Sequence, residues 1–424
     1  MYTTVQLPGG AVLATARLPH MASVCVGVWL RVGGRHESRA LNGVSHFIEH
    51  MVFKGTRRRT AAGISQAVEG LGGGLNAWTS EEHTCFYARA RADAFPVLLD
   101  VLADMLLESR FAPVEFAKER VVIQEEVSMY RDQPHQHVQE LLNGLQWPGQ
   151  ALGRPITGTP ASVNRLRRDD LLEFHRTHYA ASNLLVTVAG NFDAADVRRK
   201  VAAVAGRFRI GHRTAADPVR WRQSEPGLRL CTRPVEQTQL ALAVRTCARH
   251  DQRRFALRLL NALLGENMSS RLFQSVREDR GLAYSIYSSV SSFEDVGDLV
   301  ISAGLDADRL GPVLKLIIDE LQRLRRRGPP ASELRRARDY VIGQMELSLE
   351  GTENHMTWLG EAILGHDRVI LPAEIERRLW AVTPAEVAGV ARDFFRADRV
   401  NLALVGPMRS TAGLAAQLGR LGAP

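Results

Sequence analysis

His46 and His50 lie four residues apart, with Glu49 directly before the second, in a chain of 424 residues. In a helix, side chains at this spacing share a face, so the two imidazoles can point at one spot. Two ligands of a tetrahedral zinc are commonly supplied in this way. Glu49, three residues after His46, can reach a water at the same spot without being needed as a ligand. The order mirrors the more common His-Glu-x-x-His zinc pattern, and chance would give roughly 0.02 occurrences in this length. The plainer reading is two histidines lining an apolar helix. A catalytic zinc needs a third protein ligand and leaves its fourth position to water. Candidates lie on the stretch Pro113–Arg131, which carries Glu115, Glu119, Glu125 and Glu126. Glu119 and Glu126, seven apart, share a face, and Glu125 is one residue's rotation away. Spacing alone does not choose among Glu119, Glu125 and Glu126.

These residues need elements to hold them. Asn42-Gly43 and Gly55 bracket a helix near Asn42–Phe53. Alternating apolar runs at Ala11–Ala16 and Ser23–Val32 predict paired strands, with more strand near Leu75–Ala90. An amphipathic helix follows over Ala94–Leu107. Proline at a favoured first-turn position opens another over Pro113–Arg131. Beyond a polar, basic stretch from Gly206 to Gly227, broken by Pro218 and Pro226, the same order returns. Strands at Leu228–Arg233 and Gln237–Val244 precede a helix over Arg253–Leu264 and strand near Leu282–Ala303. Two helices follow, over Arg309–Arg326 and from Pro329-Pro330 to about Leu349.

The apolar spacing from Asp93 onward matches that from Asp308 onward once small gaps are allowed, which predicts an internal duplication. Aligned this way, Gln344 stands opposite Glu126 and Ala337 opposite Glu119. Gly265, Met268 and Ser269 stand opposite His46, Glu49 and His50. The second half thus repeats the scaffold without the ligands, and one metal per chain is expected.

The apolar fraction of 45% and charged fraction of 24% are those of a soluble globular chain. No stretch is long and apolar enough for a membrane span. The four cysteines are scattered, and the N-terminus shows neither a secretory signal nor a transit pattern, so the cytoplasm is the expected compartment. The net charge of +8 sits partly in runs such as Arg57-Arg58-Arg59 and Arg325-Arg326-Arg327. No nucleic-acid-binding module accompanies them, and solvated helix faces are the better account.

The segments HFIEHMVFKGT, GGGLNAWTSEEHTCFYARA, ERVVIQEEVSMYRDQP and LGRPITGTPASV, in that order, resemble the pitrilysin/insulinase superfamily of metallopeptidases. They are most similar to its processing-peptidase branch, which holds the β-subunit of the mitochondrial enzyme and single-length bacterial members. The likeness runs from about Leu7 to Pro407. It implies an α+β fold of two duplicated α/β-sandwich domains, each a mainly antiparallel sheet packed with helices, forming a half-clamshell. A zinc-binding catalytic domain would span 1–210, a linker 211–227, and a metal-free homologous domain 228–424. The resemblance implies one Zn2+ per chain on His46, His50 and Glu126, with Glu119 as an acid behind them and Glu49 as general base. The segment SSRLFQSVREDRGLAYS maps an assisting arginine and tyrosine onto Arg277 and Tyr284, which in single-length members reach the zinc of a partner subunit. That implies a homodimer, or a heterodimer with a related chain. The segment Leu75–Thr79, with Asn76 and Ala77 at its centre, corresponds to an edge strand onto which an extended peptide substrate adds. The expected activity is endopeptidase cleavage of extended or unfolded peptides. The alternative is a non-catalytic scaffold subunit of the same fold, whose members typically lack the intact ligands present here.

Overall fold

The computed structural model describes residues 2–422. Its first sheet contains β1 (Tyr2–Gln6), β2 (Val12–Arg17), β3 (Ser23–Leu30), β4 (Gly74–Thr79), β5 (Thr84–Arg91) and β6 (Leu184–Gly190), in the order β1-β2-β6-β3-β5-β4. Only β2 and β6 run parallel. The second sheet contains β7 (Gly227–Thr232), β8 (Thr238–Thr246), β9 (Ser285–Ser292), β10 (Gly297–Leu305) and β11 (Val400–Gly406), in the order β7-β11-β8-β10-β9. Here only β7 and β11 run parallel. Without β1, the two orders match strand for strand, directions included, which is what a duplicated α+β unit produces.

Side-chain alternation explains how each sheet is covered on both faces. Along β3, Val24, Val26, Val28 and Leu30 join one core, while Cys25 and Trp29 join another. The first core is closed by Phe47, Ile48 and Met51 of the Val44–Val52 helix and by Leu98, Leu102 and Met105 of the Phe95–Glu108 helix. Ile123 and Val127 of the Pro113–Asp132 helix join the same core. The opposite face meets Met356, Leu359 and Ile363 of the Thr352–His366 helix. In the second sheet, Leu257 and Leu260, Ile317 and Leu321, and Val387 and Val390 close one face. The other face meets Val138 and Leu142 of the Pro134–Gln146 helix.

These last helices come from the opposite halves of the sequence. One compact unit takes the chain as far as Ser128, then Arg154–Asp217 and Leu347–Ile370. The other takes Met129–Gly153, Pro218–Glu346 and the chain from Leu371 onward. A cut at 211–227 therefore describes the strands but not the covering helices, because each half contributes one helix to the other half's sheet. Residues 209–226 carry no regular element.

Other differences from expectation are local. The strand expected near Leu75–Ala90 is the β4–β5 hairpin, and that near Leu282–Ala303 is the β9–β10 hairpin. The strands β1, β6 and β11 were not expected, and β6 lies between β2 and β3, so the runs Ala11–Ala16 and Ser23–Val32 are strands of one sheet but do not pair with each other. The first arginine run is not a solvated helix face: Arg58 and Arg59 both bind Asp100 and Asp104 of the Phe95–Glu108 helix at 2.6–2.9 Å. No helix among the described residues is long and apolar enough to cross a membrane.

Candidate metal centre

The site starts from a helix start made without a side-chain cap. Gly43, at φ +96°, precedes the Val44–Val52 helix, and a Cβ there would sit 3.0 Å from the Thr157 carbonyl oxygen. Only glycine combines that dihedral with so close a neighbour. The first-turn amides are met instead by buried Glu37, which accepts from the Gly43 and Ser45 N–H groups at 2.8 and 2.9 Å and from Asn42 Nδ2 at 3.2 Å. Burial pushes the Glu37 carboxyl up to about 7, against the pull of those donors. Carboxylate at a helix N-terminus also complements the helix dipole. Glu37 was not foreseen, since an acid six residues ahead of an uncapped glycine carries no pattern of its own.

One helix turn on, the His46 and His50 rings lie with centroids 4.6 Å apart. Their Nε2 atoms are 3.7 and 3.5 Å from Glu126 Oε2. One donor atom from each of these three residues falls within 4.8 Å of the others, and no other such group of three is found among the described residues. Glu119, buried on the same helix as Glu126, accepts from His50 Nδ1 at 3.1 Å and pairs with Lys54 Nζ at 2.8 Å. The bond to Nδ1 leaves His50 Nε2 to face the cluster. Glu125 is exposed and outside it. Glu49 accepts a hydrogen bond from Thr79 Oγ1, at the end of β4, at 2.5 Å.

The electrostatics separate the two histidines. Burial, helped by neighbouring His50, pushes His46 down to about 4 despite Glu126. Burial also lowers His50, but hydrogen bonds with Glu126 and Glu119 outweigh it and hold the ring above its ordinary range. Burial raises Glu49, opposed by the Thr79 hydroxyl. Two imidazole nitrogens and one carboxylate oxygen within 4.8 Å of one another form a donor set that zinc accepts, and three protein ligands leave its fourth position to water. The residues fit the ion.

The other expected residues fall on two further elements. Asn76 and Ala77 lie on β4, the edge of the first sheet. The Ala77 N–H is already met by Asn76 Oδ1 at 2.8 Å. Arg277 and Tyr284 belong to the second unit, where both are exposed. The Arg277 guanidinium lies 4.8 Å from the Phe273 ring centroid and 6.0 Å from that of Tyr284, so the two residues are neighbours in space. The aligned positions of the second unit carry no donor set among the described residues: Gly265, opposite His46, sits in a π-helical turn, Ala262–Glu266, and Ala337, opposite Glu119, is buried.

Comparison with known proteins bears on this asymmetry. Residues 12–160 match the model of the insulinase family, peptidase family M16, and residues 165–341 match that of the M16 inactive domain. An uncharacterized zinc protease of Streptomyces coelicolor is 39% identical over 95% of this chain and 89% of its own length. The chain belongs to the insulinase (M16) family. An uncharacterized zinc protease of Bacillus subtilis is 37% identical over 92% of this chain and 94% of its own. The fold matches a crystal structure of an M16 inactive domain from Pseudomonas fluorescens (TM-score 0.89, 20% identity, 96% of this chain and 99% of that one). It also matches a protease from Helicobacter pylori (TM-score 0.90, 20% identity, 96% and 99%). Within this M16 chain the His-x-x-Glu-His segment falls in the first matched region, and the half without a donor set falls largely in the inactive-domain match.

Proposed function

We propose that this M16 protein is a zinc-dependent endopeptidase that hydrolyses extended or unfolded peptides. The observation that carries the reading is the convergence of His46 Nε2, His50 Nε2 and the Glu126 carboxylate, with Glu49 on the same helix. His46, His50 and Glu126 would hold one zinc per chain. When bound, the ion supplies Lewis-acid polarisation of the scissile carbonyl and lowers the pKa of a water at the site. Glu119, fixed by Lys54, holds the His50 ring in its ligating orientation. The Glu49 carboxylate takes the proton of the attacking water and delivers it to the leaving amine.

Substrate would add to the free edge of β4 as a further antiparallel strand, which selects extended chains through main-chain hydrogen bonds. The Ala77 N–H would then exchange the Asn76 oxygen for a substrate carbonyl. Arg277 and Tyr284, two exposed donors, would stabilise the oxyanion as charge develops on it. By the family resemblance they would come from a partner subunit in a cytoplasmic dimer.

Glu49→Gln tests the reading. Its kcat is expected to fall roughly 10²- to 10⁴-fold on an unstructured peptide, the range that general acid–base catalysis contributes. Bound zinc, measured by elemental analysis, should stay at one per chain. Full turnover in this variant would overturn the role given to Glu49.

A further inference from the structure

A general base must present one carboxylate oxygen in one direction, and the helix carrying Glu49 does not by itself fix that rotamer. Among the described residues, the hydrogen bond to this carboxylate comes from Thr79 Oγ1, at 2.5 Å to Oε2. Thr79 is itself held. Its backbone pairs with Thr84 in the β4–β5 ladder. The fully buried Thr84 donates its hydroxyl to the Val32 carbonyl at 2.9 Å, and its oxygen lies 3.5 Å from Thr79 Oγ1. A hydroxyl has one proton to give. With the Thr84 proton on Val32 and the Thr79 proton on Glu49, both donor directions are set.

We propose that Thr79 is a positioning residue for the hydrolysis. Its hydroxyl holds Glu49 Oε2, so that Oε1 is the oxygen presented to the water. The donor is the last residue of β4, the free edge to which substrate would add. The element that receives the peptide backbone is therefore also the element that aims the base. A strand-end threonine is otherwise an ordinary β-former, and its sequence neighbours give it no such role.

The inference rests on Glu49 being the base, so Glu49→Gln is run beside the Thr79 variants. Thr79→Val keeps the shape without the donor, Thr79→Ala removes both, and Thr79→Ser keeps the donor. On one unstructured peptide, Val and Ala are expected to lower kcat roughly 10- to 100-fold, the cost of a misplaced reacting group. KM, bound zinc and melting temperature should stay at wild-type values, and Ser should restore kcat. Wild-type kcat in Val and Ala beside an inactive Glu49→Gln overturns the role of Thr79 and leaves the base in place. An active Glu49→Gln overturns the base itself. Loss of zinc or stability in Val and Ala, or equal loss of kcat in Ser, reduces Thr79 to a structural residue and also overturns the proposal.

Discussion

Apart from β1 the two units share a strand order, and they differ in the helix turn aligned with the ligands. In the first, His46 sits inside a regular α-helix whose Phe47, Ile48 and Met51 share a core with Ile123 and Val127 of the Pro113–Asp132 helix. In the second, the aligned Gly265 lies in a π-helical turn pressed against β9. A Cβ there would fall 2.7 Å from Ser288 Oγ and 2.9 Å from Ser288 N. At the position aligned with His46, any side chain larger than glycine would therefore run into Ser288 of β9.

The units also receive their exchanged helices differently. Both helices carry a glycine that faces its surroundings at different distances. A Cβ at Gly360 would lie 2.1 Å from Trp29 Cζ2, while one at Gly144 would meet nothing nearer than the Gly153 oxygen at 3.8 Å. Trp29 is fully buried and donates Nε1 to Thr187 Oγ1 at 2.8 Å, so it cannot swing aside without losing that bond.

Five substitutions press on the comparison. Glu126→Gln should lose the stoichiometric zinc and all turnover, while Gln344→Ala at the aligned position of the second unit should leave both intact. Elemental analysis of the two purified proteins decides, and zinc retained by Glu126→Gln would break the contrast. Glu119→Gln should weaken zinc affinity roughly 10- to 100-fold, the usual cost of removing an acid that orients a ligating histidine. Competition against a chelator measures it, and unchanged affinity would deny Glu119 its hold on His50. Gly360→Ala should destabilise by about 1–3 kcal/mol through overpacking against Trp29. Gly144→Ala should be neutral or gain about 0.5–1 kcal/mol, since alanine suits a helix interior better than glycine. Urea midpoints report both, and equal shifts would erase the distinction between the two seats.

Much of this was legible in the sequence, for a physical reason particular to each part. The His46–His50 spacing and the Val44–Val52 helix depend on contacts within about two turns, so local periodicity carried them. The matching helices after Asp93 and Asp308 carried the duplication, since both must bury an apolar stripe of similar spacing on similar sheets. The strands β6 and β11 were missed because they are buried on both faces, and such strands lose the polar–apolar alternation that marks a half-exposed one. Each hairpin read as one long strand because its short polar turn breaks the β-prone composition too briefly.

By itself, then, the sequence determined which residues could do chemistry, the face on which His46 and His50 meet, and a scaffold built twice. Tertiary structure decided the rest. Glu119 and Glu126 share a face of one helix, with Glu125 about 100° away, and only the packing of that helix beside the Val44–Val52 helix sends Glu126 to the cluster and Glu119 to His50 Nδ1. Glu37 and Thr79 act on that helix from a loop and from a strand end, at separations no periodicity spans. The exchanged helices cover sheets that the other half of the chain builds, because an apolar helix face is satisfied by whichever complementary surface the fold brings to it.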